Sequence, residues 1–551
     1  MIREKISKLI QKAIKELKKE GIFPEFKVPE IEIEYPKEKA HGDYSTNITM
    51  VIAKLIKKEP MEIAKILGSR LQILDPRLFD KIEVAPPGFI NFFLSNEYLQ
   101  KQVKEILKQG EKFGNLEIGK NKKLQVEFIS ANPTGPLTVG NSRGGPFGDT
   151  LGNVLKKAGF KIEKAYYIND YGMQILALGH SVLKDSEAKY RGDYIDHLNK
   201  IIKEKDVYKA GEKAAKIIIK EMVKETTDRM GIKYDEWISE TKLHRLNFVK
   251  KIFEILKKKN LLYQKEEASW FKSSNFSDER DRVLVKKDGW KTYLAGDIAL
   301  HYYKFEKKKF DKVINIWGAD HAGDVPGLQA GVSAIGHKGK LDIILLQFVT
   351  LFEKKEKLKM SKRLGIYVTM DELLNKVGID VARFFFLQKS ADTHLNFDLD
   401  LAKEQSEKNP VYYVQYAHAR ICSILRKSKV ESRKLKVDIL HSTLNFQLLN
   451  HPSELELIKQ LIKFSEVIED TARDYQVQRI PQYALDLAAV FHRFYRDCRV
   501  LTDYNPPTTL PPSAGPSNGF LKKARLGLIL ATKTILKNTL DLMGISAPER
   551  M

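Results

Sequence analysis

Two lysines flank a methionine and a serine in Lys359-Met360-Ser361-Lys362, with Gly365 close behind. Ammonium groups so spaced, beside a small hydroxyl and a glycine, suit a loop that sets two cations against a polyphosphate. Far upstream, Ser130-Ala131-Asn132-Pro133-Thr134-Gly135-Pro136-Leu137 runs into Thr138-Val139-Gly140-Asn141. Pro133, Gly135 and Pro136 forbid regular structure and force a turn. A strand, a glycine-rich turn and a helix in succession offer free backbone N–H groups and a positive dipole end to phosphate. Alone, each motif has a bland reading: a tight connection, or a solvated face in a lysine-rich chain. Together they point to phosphate chemistry.

Such motifs need rigid elements to hold them. Leu124, Val126, Phe128 and Ile129, with Gln125 and Glu127 between, read as a buried strand over 124–129. Leu151, Val154, Leu155 and Ala158 give a helix after the turn. Further strands are expected at 164–168, 312–317 and 343–349, with helices between them. That alternation predicts an α/β fold: a doubly wound parallel sheet with ligands above its carboxyl-terminal strand ends. Residues 173–262 read as a helical insertion in a catalytic unit spanning 116–400. Residues 1–115 read as an α+β module, with helices at 1–20 and 45–67 and strands at 31–34, 81–84 and 89–94. Residues 401–551 read as an all-α bundle, with helices at 411–425, 455–474, 484–501 and 520–542. A Pro-rich surface loop at 505–516 joins two of them.

The 551 residues carry 94 Lys and Arg against 71 Asp and Glu, a formal charge of +23. An excess of that size points to a polyanionic partner such as nucleic acid, with a heat-adapted or lysine-rich surface as a contributor. Cys422 and Cys498 are too few for a zinc cluster or a disulfide framework. No protein-bound metal is expected. Met1 opens a lysine-rich amphipathic helix in place of a signal peptide, and no apolar run is long enough to span a bilayer. The expectation is a cytoplasmic monomer without a membrane partner.

The two signatures resemble the HIGH and KMSK motifs of class I aminoacyl-tRNA synthetases. Residues 130–137, Asn169-Asp170-Tyr171-Gly172, Trp317-Gly318-Ala319-Asp320-His321 and Ala547-Pro548-Glu549-Arg550-Met551 narrow the resemblance to arginyl-tRNA synthetases, over nearly the whole chain. It implies ligation of L-arginine to tRNA(Arg) with ATP and Mg2+. Lys359 and Lys362 would meet the leaving pyrophosphate, with Met360 and Ser361 also at the ATP. Gly140 and Gly318 would let adenosine lie against the backbone, and Asp320 would accept from the ribose. Glu127 and Asp297 match the family's guanidinium positions, although a solvent-facing strand residue and a helix cap are the plainer readings. Tyr293 would flank the substrate, and Ser130 and Asn132 would hold its α-amino and carboxylate end. Gln174 would line that pocket, and His321 would face either ATP or the amino acid, the resemblance favouring the amino acid, while Arg143 reads as structural or phosphate-directed.

Gly42-Asp43-Tyr44 and Pro87 to Phe92 are similar to the family's N-terminal domain. Phe89 and Asn91 would then contact the tRNA D-loop, unless Phe89 is core and Asn91 a turn residue. Tyr413 or Tyr416 would stack on an anticodon-loop base, with core packing the competing reading, and Met551 would touch the anticodon stem. One departure stands out: Thr138 and Asn141 occupy the places of the two signature histidines. Either the chain is a catalytically impaired tRNA-binding paralogue, or a hydroxyl and an amide donate to phosphate in place of imidazoles.

Overall fold

The computed structural model describes residues 1–358, 368–428, 444–501 and 517–551. Lys359, Met360, Ser361, Lys362 and the 505–516 tract lie outside them. At the centre are five parallel strands: β1 (Lys123–Glu127), β2 (Lys161–Ile168), β3 (Glu236–Ser239), β4 (Lys312–Gly318) and β5 (Leu341–Leu346), ordered β5-β4-β1-β2-β3. β1 is the middle strand, with Asn315 and Ala165 as neighbours of Glu127. Leu124, Gln125, Val126 and Glu127 are buried, as a strand covered on both faces requires.

Helix α1 (Gly144–Lys157) follows the turn and returns the chain to β2. It lies so close to β1 that a Cβ on Gly148 would sit 2.3 Å from Phe128 Cγ. The glycine is what lets the helix seat on the ring. Before β4 comes α2 (Tyr293–Tyr302), which continues as a π-helical turn over Tyr303–Lys307. The stretch 173–262 is helical up to Arg229, then supplies β3 to the edge of the main sheet. That strand was not expected. Its four residues follow charged helical sequence and are too few to show a period.

At the N-terminus, helix Ile2–Lys19 packs on the helix Pro60–Leu74, which lies on a three-stranded antiparallel sheet of Tyr44–Thr46, Phe79–Ala85 and Phe89–Leu94. The expected strand at 31–34 reduces to one bridge, Glu34 to Ser45. The expected helix at 45–67 is two, Ile48–Ile56 and Pro60–Leu74, the second opening on Pro60. The C-terminal helices are Pro410–Lys427, Pro452–Asp474, Arg479–Asp497 and Ser517–Met543. Cys422 and Cys498 are buried among them as free thiols.

Two polar knots join these bodies. Glu466, on the helix Pro452–Asp474, meets Arg3 at 3.3 Å and accepts from the hydroxyls of Tyr35 and Tyr44 in the N-terminal module. Burial raises its carboxyl above the usual range, against the pull of Arg3. Arg383 is 1% exposed and reaches three parts of the chain at once. Its guanidinium bonds Asp149 of α1, the Met230 carbonyl at 2.8 Å and the Met543 carbonyl at 2.5 Å. Asp149 also takes Lys164 of β2 at 2.6 Å. Removing one partner of such a buried pair costs about 3–5 kcal/mol.

Candidate active site

A cavity of about 1550 Å³ opens over the carboxyl ends of β1, β2 and β4. This is where a doubly wound sheet holds ligands, with room for more than one small molecule. The backbone that forms its floor is strained. Ile129 and Ser130 have φ of +66° and +40°, left-handed values that cost a side-chain-bearing residue about 1–3 kcal/mol each. Local bonds hold them there: Ser130 N–H donates to Phe128 O at 3.0 Å, and Tyr167 N–H donates to Ser130 Oγ at 3.1 Å.

Thr138, Gly140 and Asn141 line one end of the cavity. Thr138 is the N-cap of the short helix Val139–Ser142, its Oγ1 accepting from Asn141 N–H at 3.4 Å and donating to Asn141 Oδ1 at 2.7 Å. The Thr138 hydroxyl can thus donate to phosphate only by leaving Asn141. The backbone of the turn is tied to the far side of the lysine motif. Val139 N–H donates to Val368 O at 3.2 Å, Met370 N–H to Leu137 O at 2.8 Å, and Thr138 bridges Thr369. Only nine residues, 359–367, separate Leu358 from Val368. The residues that follow the lysine signature are thus bonded directly to the Thr138 turn. Because no imidazole stands in this turn, kcat at saturating substrates is expected to stay level from pH 6 to 8. A pH–rate profile falling through a pKa near the histidine value of about 6.5 would count against neutral donors.

The other end is acidic. Asp297 on α2 and Glu127 at the tip of β1 both line it, with Tyr293 at the rim. Glu127 is 3% exposed and does not face solvent; its Oε2 accepts from Lys304 Nζ at 2.7 Å. Burial drives the Asp297 carboxyl well above the usual range, and repulsion from Glu240 and Glu127 adds to it. Glu240 is an acid here that the sequence did not single out. It follows Ser239, the N-cap of Glu240–Arg245, so that locally it reads as a helix-start acid. In the fold it lines the cavity, and Oε2 has no hydrogen-bond partner among the described residues. Its carboxyl too is raised by burial. The position of a Cβ on Gly296 is 2.8 Å from Glu240 Oε1, so this carboxylate lies against the α2 backbone beside Asp297. The Tyr167 hydroxyl, also without a partner among the described residues, lies in the same pocket.

Ser130 and Asn132 line the cavity between the two ends, Asn132 Oδ1 accepting from Asn169 Nδ2 at 2.9 Å. Gly318, Asp320 and His321 follow β4 on the opposite wall. The position of a Cβ on Gly318 is 2.4 Å from Asp320 Oδ1, so the carboxylate folds back over the glycine. His321 is exposed, with Nδ1 3.5 Å from Asp324 and Nε2 3.9 Å from Asp320. Gln174 lies behind the wall, 7% exposed, its amide donating to Asn169 O. Arg143 is turned away from phosphate. Its guanidinium caps the carbonyls of Gln347, Ser390 and Thr393, and burial pushes it down to about 10.

The residues expected to meet tRNA lie apart from this cavity. Phe89 is partly exposed on the strand Phe89–Leu94, while Asn91 is 4% exposed with Oδ1 accepting from Ser45 at 2.8 Å. On the helix Pro410–Lys427, Tyr416 is 39% exposed and parallel to Tyr412, and Arg420 donates to its hydroxyl at 3.0 Å. Tyr413 is half-buried against the His492 ring, and Met551 is exposed.

A parallel doubly wound sheet, with a phosphate-type turn bonded to the exit of a Lys-Met-Ser-Lys segment, defines a class I aminoacyl-tRNA synthetase catalytic unit. Sequence profiles agree: arginyl tRNA synthetase N terminal domain over 4–94, class I (R) catalytic domain over 102–226 and 203–421, and DALR anticodon binding domain over 414–551. The chain belongs to the arginyl-tRNA synthetase family. Arginine–tRNA ligase from Caldanaerobacter subterraneus is 42% identical, covering 100% of this chain and 99% of that protein. The Bacillus subtilis arginine–tRNA ligase is 39% identical over 100% of both. The solved Thermus thermophilus arginyl-tRNA synthetase shares the fold with a TM-score of 0.76 at 22% identity, covering 100% of both chains.

Proposed function

We infer that the cavity performs both halves of arginine–tRNA ligation. The chain is an arginine–tRNA ligase: it activates L-arginine with ATP, passes it to tRNA(Arg), and releases AMP and pyrophosphate. The observation that carries the assignment of the chemistry to this cavity is its two-ended wall. Neutral phosphate donors, tied to Val368 and Thr369, stand at one end; Asp297 and Glu240 stand at the other.

In this reading arginine lies with its guanidinium between Asp297 and Glu240, where carboxylates can accept paired N–H donors. Glu127 completes the acidic wall, Tyr293 flanks the side chain, and Ser130, Asn132 and His321 hold the α-amino and carboxylate end. ATP, as its magnesium complex, runs from Gly318 and Asp320 to the turn at Thr138–Asn141. Attack of the arginine carboxylate on the α-phosphorus breaks the bond to pyrophosphate, and Lys359 and Lys362 stabilise the charge that moves there. Holding both anions in register is the rest of the catalysis. Phe89 on the N-terminal module and Tyr416 with Tyr413 on the helical domain offer faces for unstacked bases, and Met551 an end contact. Asn91, held by Ser45, would have to leave that bond to reach a base. We place the enzyme in the cytoplasm as a single chain.

No observation favours a regulator that binds tRNA without charging it. A charging assay with ATP, total tRNA and each of the twenty amino acids separately is expected to give product with arginine alone. ATP–pyrophosphate exchange is expected to be negligible until tRNA(Arg) is added. Strong exchange without tRNA would overturn the tRNA-dependent scheme, and absence of charging would overturn the ligase itself.

A further inference from the structure

Beneath the acidic end of the cavity lies an ammonium group that the reaction does not use. Lys304 is 0% exposed and sits on the π-helical turn that follows α2. Burying a lysine is unfavourable unless its donors are matched. Here Nζ donates to Glu127 Oε2 at 2.7 Å and to Asn315 Oδ1 at 3.3 Å. That second bond fixes the direction of everything beyond it. Asn315 must present Nδ2–H to His301 Nε2, 3.0 Å away, and the ring then donates from Nδ1 to Asp297 O at 2.7 Å. Burial, with the Lys304 charge adding to it, holds His301 neutral, as a ring with one donor and one acceptor must be.

We infer that Lys304 is a positioning residue for the amino-acid site, fixing Glu127 directly and the Asp297 turn through Asn315 and His301. The inference rests on the reading of Glu127 and Asp297 as arginine-site acids. A π-helical turn inside a helix is rare and frequently accompanies a functional site. Here it lies on the segment that carries Lys304 down to β1 and β4. The lysine also sets the charge that a guanidinium meets. Of the three acids on this wall, Glu127 already shares an oxygen with an internal cation. Asp297 and Glu240 remain to take the substrate's charge.

The test uses the full chain with tRNA(Arg) and ATP at saturation. Lys304→Met is expected to raise the arginine KM by about tenfold or more while the ATP KM moves less than about twofold. Lys304→Arg is expected to recover most of the loss. A Glu127→Gln/Lys304→Met double variant removes the stranded carboxylate, so it folds, and its arginine KM should not exceed that of Glu127→Gln alone. An unchanged arginine KM in Lys304→Met, an equal rise for arginine and ATP, or a double-variant effect equal to the product of the singles would each overturn the role. If Glu127→Gln and Asp297→Asn both leave the arginine KM unchanged, the pocket reading itself fails. If those two act and Lys304→Met does not, only the lysine's role fails.

Discussion

Replacing Asp297 by asparagine is expected to raise the arginine KM on the order of a hundredfold or more and to leave the ATP KM nearly unchanged. Truncating the charge of one partner in a desolvated pair costs about 2–5 kcal/mol, and each 1.4 kcal/mol is about tenfold. The amide would keep the shape and one acceptor, so folding should survive and the loss should fall on the amino acid alone. A pH signature accompanies it. Burial, then Glu240 and Glu127, raise the Asp297 carboxyl, so the free enzyme holds its proton further up the pH scale than an ordinary carboxylate. In the proposed scheme the guanidinium binds the ionised form. Arginine affinity should therefore climb as pH rises toward that elevated pKa and level off above it, with a proton released on binding below it. Calorimetry in buffers of different ionisation enthalpy measures that release directly. A KM insensitive to Asp297→Asn would remove the acid from the site.

The second large effect belongs to the lysine motif. Lys359→Ala or Lys362→Ala is expected to lower kcat for adenylate formation by about 10²–10³-fold, the scale of losing one preorganised stabiliser of transition-state charge. The arginine KM should change little, since the proposed scheme sets these cations against the leaving pyrophosphate and not in the side-chain pocket. Losing both should cost less than the product of the single losses, because they act as a unit on one group. Single-turnover measurement of adenylate with tRNA present separates this step from transfer. A fall in arginine binding with chemistry intact would place the motif elsewhere.

Most of the frame could be read from periodicity alone. Strands β1, β2 and β4, and the four C-terminal helices, fell within a few residues of where apolar spacing put them. The strand expected to run through 349 ends at Leu346, and Val349–Glu353 joins a different sheet, because a continuous apolar run does not mark where a chain changes partners. β3 was hidden by its shortness. At the cavity, Thr138, Gly140 and Asn141 stand where the glycine-rich turn put them, because turn chemistry is local. Glu240 could not be placed there, since its cap position gave it a sufficient local explanation. Lys304 could not either: in a chain with 94 basic residues, nothing in the sequence separates a lysine under the sheet from those in water.

The seam at Arg383 has a consequence for how such an enzyme can be rebuilt. Met543 closes the last long helix, and its carbonyl belongs to the same guanidinium that holds Asp149. Gly544, with φ of +63°, comes so near that a Cβ would fall 2.6 Å from the guanidinium carbon. The anticodon reader is therefore not a cassette clipped to a finished engine. A chimera that imports another relative's C-terminal body must carry a glycine and a correctly placed carbonyl to this junction, or the helix behind the phosphate turn loses its footing.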